Sequence, residues 1–393
     1  MLKLAFPLFV LMSGFCPAQE KSDTFKVVYG RVSASGIQVP LPYAHIYSVK
    51  SRNGTVSNQS GEYVLKIPAH LTEDTVICSF MGYQTVRIFL QNLNAVQQVN
   101  LSLTANPIML SEIVVRDMDA AGVMNEVRKN IPENYGRESY VTRGFYREWL
   151  QDAQNRRKYF YSEGVIDVLK QAGGFDGDSV KVVEGIVYQP DSAANLGSRG
   201  HKIPTVTEGP YVGVWLDATR NPLLFVHELA NYKFRIASMT SYQDKEIYVL
   251  TFSPKEPRGK GRFKGIIYVD AQSFALVKAQ FKPMEWVIEN YNRYLVGCRL
   301  KSRDYLVEYS CLKDKWYVKF AMVQNTYRLG NGGRKLHGKM VFSGNDPFIT
   351  HLGDFAKNKN TVSKADSFFE ILKGMGSENW RMHNTIKPDT TDR

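Results

Sequence analysis

The chain has little of what enzyme sites are usually built from. It holds 7 histidines and 4 cysteines in 393 residues, and none completes a metal-ligand spacing. His70-Leu71-Thr72-Glu73 matches the His-x-x-Glu half of a zinc peptidase site. Such an enzyme also needs a third ligand, a general base and substrate-clamping arginines, so the tetrapeptide reads as turn polarity. His227-Glu228 opens like a zincin helix, but position 231 is Asn, and the second ligand is missing. No Gly-x-Ser-x-Gly elbow and no Gly-x-x-x-x-Gly-Lys-[Ser/Thr] loop occurs, which removes the motif-borne hydrolases and the P-loop. Asp176-Gly177-Asp178 is too brief for a calcium loop. The expectation is therefore no catalytic residue, no cofactor and no metal.

Long apolar runs are also missing beyond the N-terminus. Lys3, the apolar stretch Leu4 to Phe15, and Pro17-Ala18 form a signal peptide over residues 1–18, with cleavage after Ala18. Acylation on Cys16 is the rival, disfavoured by the bulky Phe15 before it. No later run approaches the roughly 18–20 apolar residues of a transmembrane helix. The expected setting is exported, either periplasmic or associated with the outer membrane.

Three cysteines remain after the leader: Cys78, Cys298 and Cys311. Cys78 lies in an apolar strand and reads as a buried free thiol. Cys298 and Cys311 fall in consecutive strand-like segments, where an oxidising compartment permits a disulfide.

Basic residues exceed acidic ones, 50 to 38, for a formal net charge of +12. They are scattered rather than striped, which excludes a nucleic-acid footprint and leaves affinity for anionic lipid or acidic glycan. The densest cluster is Lys255, Arg258, Lys260, Arg262 and Lys264. It reads as an inter-strand loop with its charges in solvent, and contact with lipid phosphate or acidic glycan is its functional alternative.

What is plentiful is sheet-forming sequence, including 22 Tyr and 21 Phe, since aromatics pack well on pleated surfaces. Tyr63, Leu65 and Ile67 alternate with Glu62, Val64 and Lys66; Val86, Ile88 and Leu90 repeat the pattern, as do Val99, Leu101 and Leu103. Such period-2 segments between Gly, Asn and Pro turns predict a small β-sandwich. Asp119 is placed to cap a helix carrying Val123, Val127 and Ile131, with Pro132 beyond. Asn221-Pro222 predicts another helix over Leu223 to Asn231. Gly265–Asp270 with Phe274–Phe281, and Tyr305–Cys311 with Trp316–Tyr327, read as hairpins. Lys364 to Lys373 reads as a short helix. Trp149, Trp215, Trp286, Trp316 and Trp380 are read as core, with a glycan-stacking platform as the alternative.

Gly30-Arg-Val32, Pro40-Leu41 to Ala44, Gly54-Thr55 through Asn58, Gly61 to Tyr63 and Ser79 through Gly82-Tyr83 together resemble the carboxypeptidase-like regulatory domain, a prealbumin-like β-sandwich. The resemblance implies a non-catalytic accessory module of Gram-negative envelope proteins. Leu110-Ser-Glu-Ile-Val-Val115 is similar to the strand that often follows it. The order Lys245–Val249, Lys264–Asp270, Phe274–Val277 resembles lipoprotein-carrier half-barrels, and the Arg143 to Lys170 block together with Asn379-Trp380 through Pro388 is similar to other envelope proteins with the regulatory-like domain.

The whole reads as mainly β. A signal peptide (1–18) precedes a regulatory-like sandwich (25–105), a connector strand and helix (106–135), a larger antiparallel half-barrel-like sheet domain with peripheral helices (136–360), and a C-terminal helix and tail (361–393). The expected role is non-catalytic binding or assembly, with an envelope protein, a lipid or a glycan as partner. The alternatives are a periplasmic carrier holding an apolar ligand in a concave sheet, and a hydrolase with an unrecognised site.

Overall fold

A computed structural model describes residues 25–91, 95–106, 119–188, 209–295, 297–330, 333–349, 361–362, 368–373, 375 and 383–388. The leader, Cys16, the segment 110–115 and Trp380 lie outside the described residues.

The N-terminal unit consists of short strands. They are β1 (Phe25–Ala34), β2 (His45–Ser48), β3 (Gly54–Val56), β4 (Glu62–Pro68), β5 (Asp74–Ser79), β6 (Val86–Leu90), β7 (Val96–Gln98) and β8 (Leu101–Leu103). One sheet pairs β4 with β1, whose other edge takes β7 and β8 in parallel; the second runs β3-β2-β5-β6. Alternation sets the faces. Tyr63, Leu65 and Ile67 of β4 are fully buried against Val28, Val32, Ile46 and Cys78, while the residues between them are half-buried. The turn into β4 is built by Asn58, whose Oδ1 accepts from the Ser60 and Glu62 amides at 3.0 and 2.8 Å. Gly61 sits there at φ 75°, in the left-handed region that side chains avoid, and a Cβ would also strike the Val32 carbonyl.

Helix α1 (Ala120–Lys129) is capped as its sequence predicts: Asp119 accepts from the Gly122 amide at 2.7 Å, and Val123 and Val127 are buried. A short α2 (Ile131–Asn134) with Pro132 in its first turn follows.

The second unit is one open antiparallel sheet. In chain order it comprises β9 (Tyr140–Asp152), β10 (Lys158–Lys170), β11 (Ser179–Tyr188), β12 (Tyr232–Tyr242), β13 (Lys245–Pro254), β14 (Phe263–Asp270), β15 (Leu276–Pro283), β16 (Cys298–Leu312), β17 (Lys315–Leu329), β18 (Lys335–Gly344), β19 (Phe348–Ile349) and β20 (Thr361–Val362). In space the order is β12 through β18 as a meander, then β9, β10, β11 and β20, with β19 on the end of β9. Helices α3 (Val212–Trp215), α4 (Glu285–Asn292) and α5 (Phe368–Lys373) lie around it.

Both faces of the central strands are covered, which is why nearly every residue of β9 and β10 is buried. One face packs α1 and the segment from Tyr211 to Val226 against Tyr146, Leu250, Val323 and Phe342. The other carries Phe145, Leu306, Phe320, Met322 and Val341, which meet Val56 of the sandwich and Ile386 of the tail. Under the first face, Lys170 reaches Asp217 at 3.0 Å and Asp178 at 3.5 Å, and Arg220 grips Asp178 at 2.6 Å. No described helix is long and apolar enough to cross a membrane.

Two expectations are corrected. Residues 221–231 form successive turns ending in a single 3-10 turn, Leu229–Asn231, and not a helix. Asn221 accepts from the Leu223 amide and donates to the Trp215 carbonyl; Leu224, Phe225 and Val226 are consecutively buried, whereas a helix would turn one of them outward. Cys298 and Cys311 do not lie on facing strands. Both belong to β16, one opening it and one near its end, and both are free thiols. At about 3.3 Å per residue that strand holds them roughly 40 Å apart, far beyond the ~7 Å Cα limit of a disulfide. Cys78 is a buried free thiol, as expected.

Candidate functional site

Charged residues in the middle of apolar strands are costly unless something faces them. Lys278 of β15, Glu308 of β16 and Lys319 of β17 are such residues, at 7%, 7% and 8% exposure. All three lie where the sandwich docks on the sheet.

Glu308 is the anchor. Its Oε1 takes Lys278 Nζ at 2.5 Å, and its Oε2 contacts His45 Nε2, contributed by β2 of the sandwich. Burial opposes ionisation of this carboxyl, but Lys278 and His45 outweigh it and bring the pKa down to about 2. The docking is reinforced around it. Lys339 Nζ donates to the Tyr43 hydroxyl at 2.6 Å, the Tyr47 hydroxyl donates to Asp346 at 2.7 Å, and the Gly82 amide donates to the Ser241 carbonyl at 2.8 Å. The tail completes the joint: Arg147 donates to the Ile386 carbonyl at 2.6 Å, and Lys387 pairs with Glu62 at 3.2 Å.

Beside this anchor a crevice of about 270 Å³ opens between the two units. The sandwich contributes His45, Tyr47, Ile77 and Thr85; the sheet side contributes Tyr242, Leu312 and Lys319. Lys319 has no carboxylate within ion-pair distance among the described residues. Its ammonium lies over the Tyr47 ring at 5.3 Å, and Asp346, the acid that acts on it electrostatically, is already taken by the Tyr47 hydroxyl. Burial lowers the Lys319 pKa, and Asp346 only partly restores it. Two more crevice-lining groups, His45 Nδ1 and Thr85 Oγ1, are buried without a hydrogen-bond partner. Tyr47 is pushed above the usual phenol range by burial and by its bond to Asp346. Burial also raises the Cys311 thiol.

The residues singled out from sequence lie elsewhere. Lys255, Arg258 and Lys260 are exposed and Arg262 half-buried on the loop joining β13 to β14, and Lys264 is exposed at the start of β14. Arg258 approaches Glu289 and Arg262 approaches Glu228, each at 3.6 Å. His70 is exposed in a turn, and Glu73 pairs with Lys50 at 2.7 Å. Among the described residues, no group of three or more His, Cys, Asp or Glu is placed to hold a metal ion. The crevice residues went unread, although each lysine interrupting an apolar strand was a visible signal.

One comparison with known proteins bears on the N-terminal unit. Residues 28–115 match the CarboxypepD_reg-like domain. No curated protein matches the chain. A DUF1329 family protein from Desulfovibrio piger ATCC 29098 is 9% identical, with 58% of this chain and 93% of that chain covered at a TM-score of 0.26. Lipovitellin, solved for its lipid–protein interactions, is 8% identical, with 54% of this chain and 26% of that chain covered at a TM-score of 0.26. A Bacteroides fragilis NCTC 9343 protein of unknown function is 10% identical, with 83% and 99% covered at a TM-score of 0.17. At these scores the similarity carries no function across.

Proposed function

We propose that this chain is a non-catalytic binding protein of the cell envelope that takes an amphiphilic anion into the crevice between sandwich and sheet. The anionic group, a carboxylate or phosphate, meets Lys319, and a short apolar body lies against Ile77, Tyr242 and Leu312. The observation that carries this reading is the buried Lys319 ammonium, which has no carboxylate within ion-pair distance among the described residues, in a crevice whose lining acid, Asp346, is held by the Tyr47 hydroxyl. An unpaired buried charge costs several kcal/mol, and an anionic ligand would offset that cost. Domain interfaces are preferred ligand sites.

The chemistry beside Lys319 favours binding over catalysis. A general acid or base works best with a pKa near the operating pH. Glu308 is held near 2, and Tyr47 and Cys311 are pushed upward, so these three keep one protonation state around neutrality. The leader-like N-terminus and the net charge of +12 support an exported protein working among anionic lipids and glycans.

Calorimetric titration with octanoate, octyl phosphate and 1-octanol tests the reading. Both anions should bind saturably, and the alcohol about tenfold more weakly or less. Equal binding of the alcohol, or no binding of either anion, would overturn it.

A further inference from the structure

The sheet face under the sandwich changes character along its strands. Where it meets Val56 and Ile386 it is apolar, through Phe145, Phe320, Met322 and Val341. Side chains on one face recur every second residue. Continuing outward, Phe145 leads to Trp149 and Gln151 on β9, Met322 leads to Gln324 on β17, and Val341 leads to Lys339 on β18. Register places these side by side: Trp149 opposite Lys339, Lys339 opposite Gln324, and Gln324 opposite Asp304 of β16. A polar row thus crosses four neighbouring strands.

This row lines a cleft of about 440 Å³, with Gln59 of the sandwich on its wall. The volume lies within the roughly 300–1,000 Å³ of small-molecule sites. Gln151, 91% buried by its 9% exposure, has an Oε1 with no partner. Neither the Gln324 amide nor the Trp149 indole N–H has a hydrogen bond among the described residues. Lys339 Nζ gives one of its donors to the Tyr43 hydroxyl. Beside it stand neutral donors and acceptors and an indole, with Arg156 and Asp304, of opposite sign, also lining the cleft.

We propose that this cleft is a binding site for a neutral glycan. Side-chain amides such as those of Gln151 and Gln324, which carry both an N–H and a C=O, match hydroxyls, which donate and accept at once. Leaving such groups unpaired is costly, and a polyhydroxyl ligand would pair them. The site is separate from the Lys319 crevice and stands or falls without it.

Maltotriose, laminaritriose, cellotriose and chitotriose serve as probes, each followed by saturation-transfer NMR and calorimetry on the purified protein. At least one should bind with Kd below about 10 mM. Gln324→Leu should weaken that binding about tenfold, with an unchanged circular dichroism melt, because the Gln324 amide supports no other group. Trp149 is largely buried, so Trp149→Phe, which keeps a ring but removes the N–H, replaces truncation as the second variant and should also weaken binding. No binding of any trisaccharide, or binding that Gln324→Leu and Trp149→Phe leave unchanged, would overturn the proposal. Octyl phosphate titrated in parallel should be unaffected by Gln324→Leu, which keeps the outcome independent of the crevice.

Discussion

His45 and Glu308, 263 residues apart in the chain, meet in a buried contact that ties the sandwich to the sheet. The carboxylate is shared, since its other oxygen holds Lys278 at 2.5 Å. A charge taken out of water is tolerated only while its partners stay in place. The sandwich is therefore part of the sheet's charge balance rather than a loosely tethered accessory.

Acid should loosen this joint. The folded pKa of Glu308 is depressed, from its ordinary 4.5 to about 2. Its contribution to stability is therefore complete above pH 4.5 and is lost as pH falls toward 2. Urea midpoints measured across that range should fall with pH, and Glu308→Gln should flatten the dependence. The same variant strands Lys278 and should cost on the order of 3–5 kcal/mol at neutral pH.

Lys319 should act in the same direction, in an alkaline window. Its pKa is lowered in the fold from an ordinary 10.5, so the unfolded chain holds more protons and stability rises with pH through the window ending near 10.5. Anion affinity should fall over the same window as the ammonium is lost. Lys319→Met should remove both trends while leaving neutral-pH stability unchanged or raised by about 1 kcal/mol. Paired thermal melts and octyl phosphate titrations at stepped alkaline pH check this.

Asn384 closes the exposed edge of the sandwich. Its Oδ1 accepts from the Lys66 amide at 2.6 Å and its Nδ2 donates to the Lys66 carbonyl at 3.2 Å, so it stands in for the strand that β4 lacks on that side. Asn384→Ala should cost about 1–3 kcal/mol and expose the tail to protease. Unchanged stability together with unchanged cleavage would contradict this role.

The cysteines give a direct chemical check. The chain from Gln19 onward, denatured without reductant, should titrate all of Cys78, Cys298 and Cys311 as thiols. A single thiol would mean that two of them are bridged.

The local code was legible where turns and alternation speak for themselves. Asn58 and Gly61 marked the turn into β4, Asp119 marked the start of α1, and the β14–β15 and β16–β17 hairpins followed from short connections. Asn221-Pro222 misled because the same pair opens a helix or a turn, and only the successive burial of Leu224, Phe225 and Val226 decides between them. The site was the least legible part. His45 meets Glu308, and Arg147 meets the Ile386 carbonyl, across 263 and 239 residues, and such meetings arise from docking rather than from any local pattern. A lysine inside Leu276–Phe281 or Trp316–Met322 marks a position that needs a partner without saying which.

The central claim is that Lys319 receives the anion, and its own resonance reports this. With 13Cε-labelled lysine, the Lys319 signal is assigned by its loss in Lys319→Met. Adding octyl phosphate should shift that signal and move its titration to higher pH, as a nearby negative charge favours the ammonium. A Lys319 signal that stays in place and titrates unchanged while octyl phosphate binds would contradict the claim.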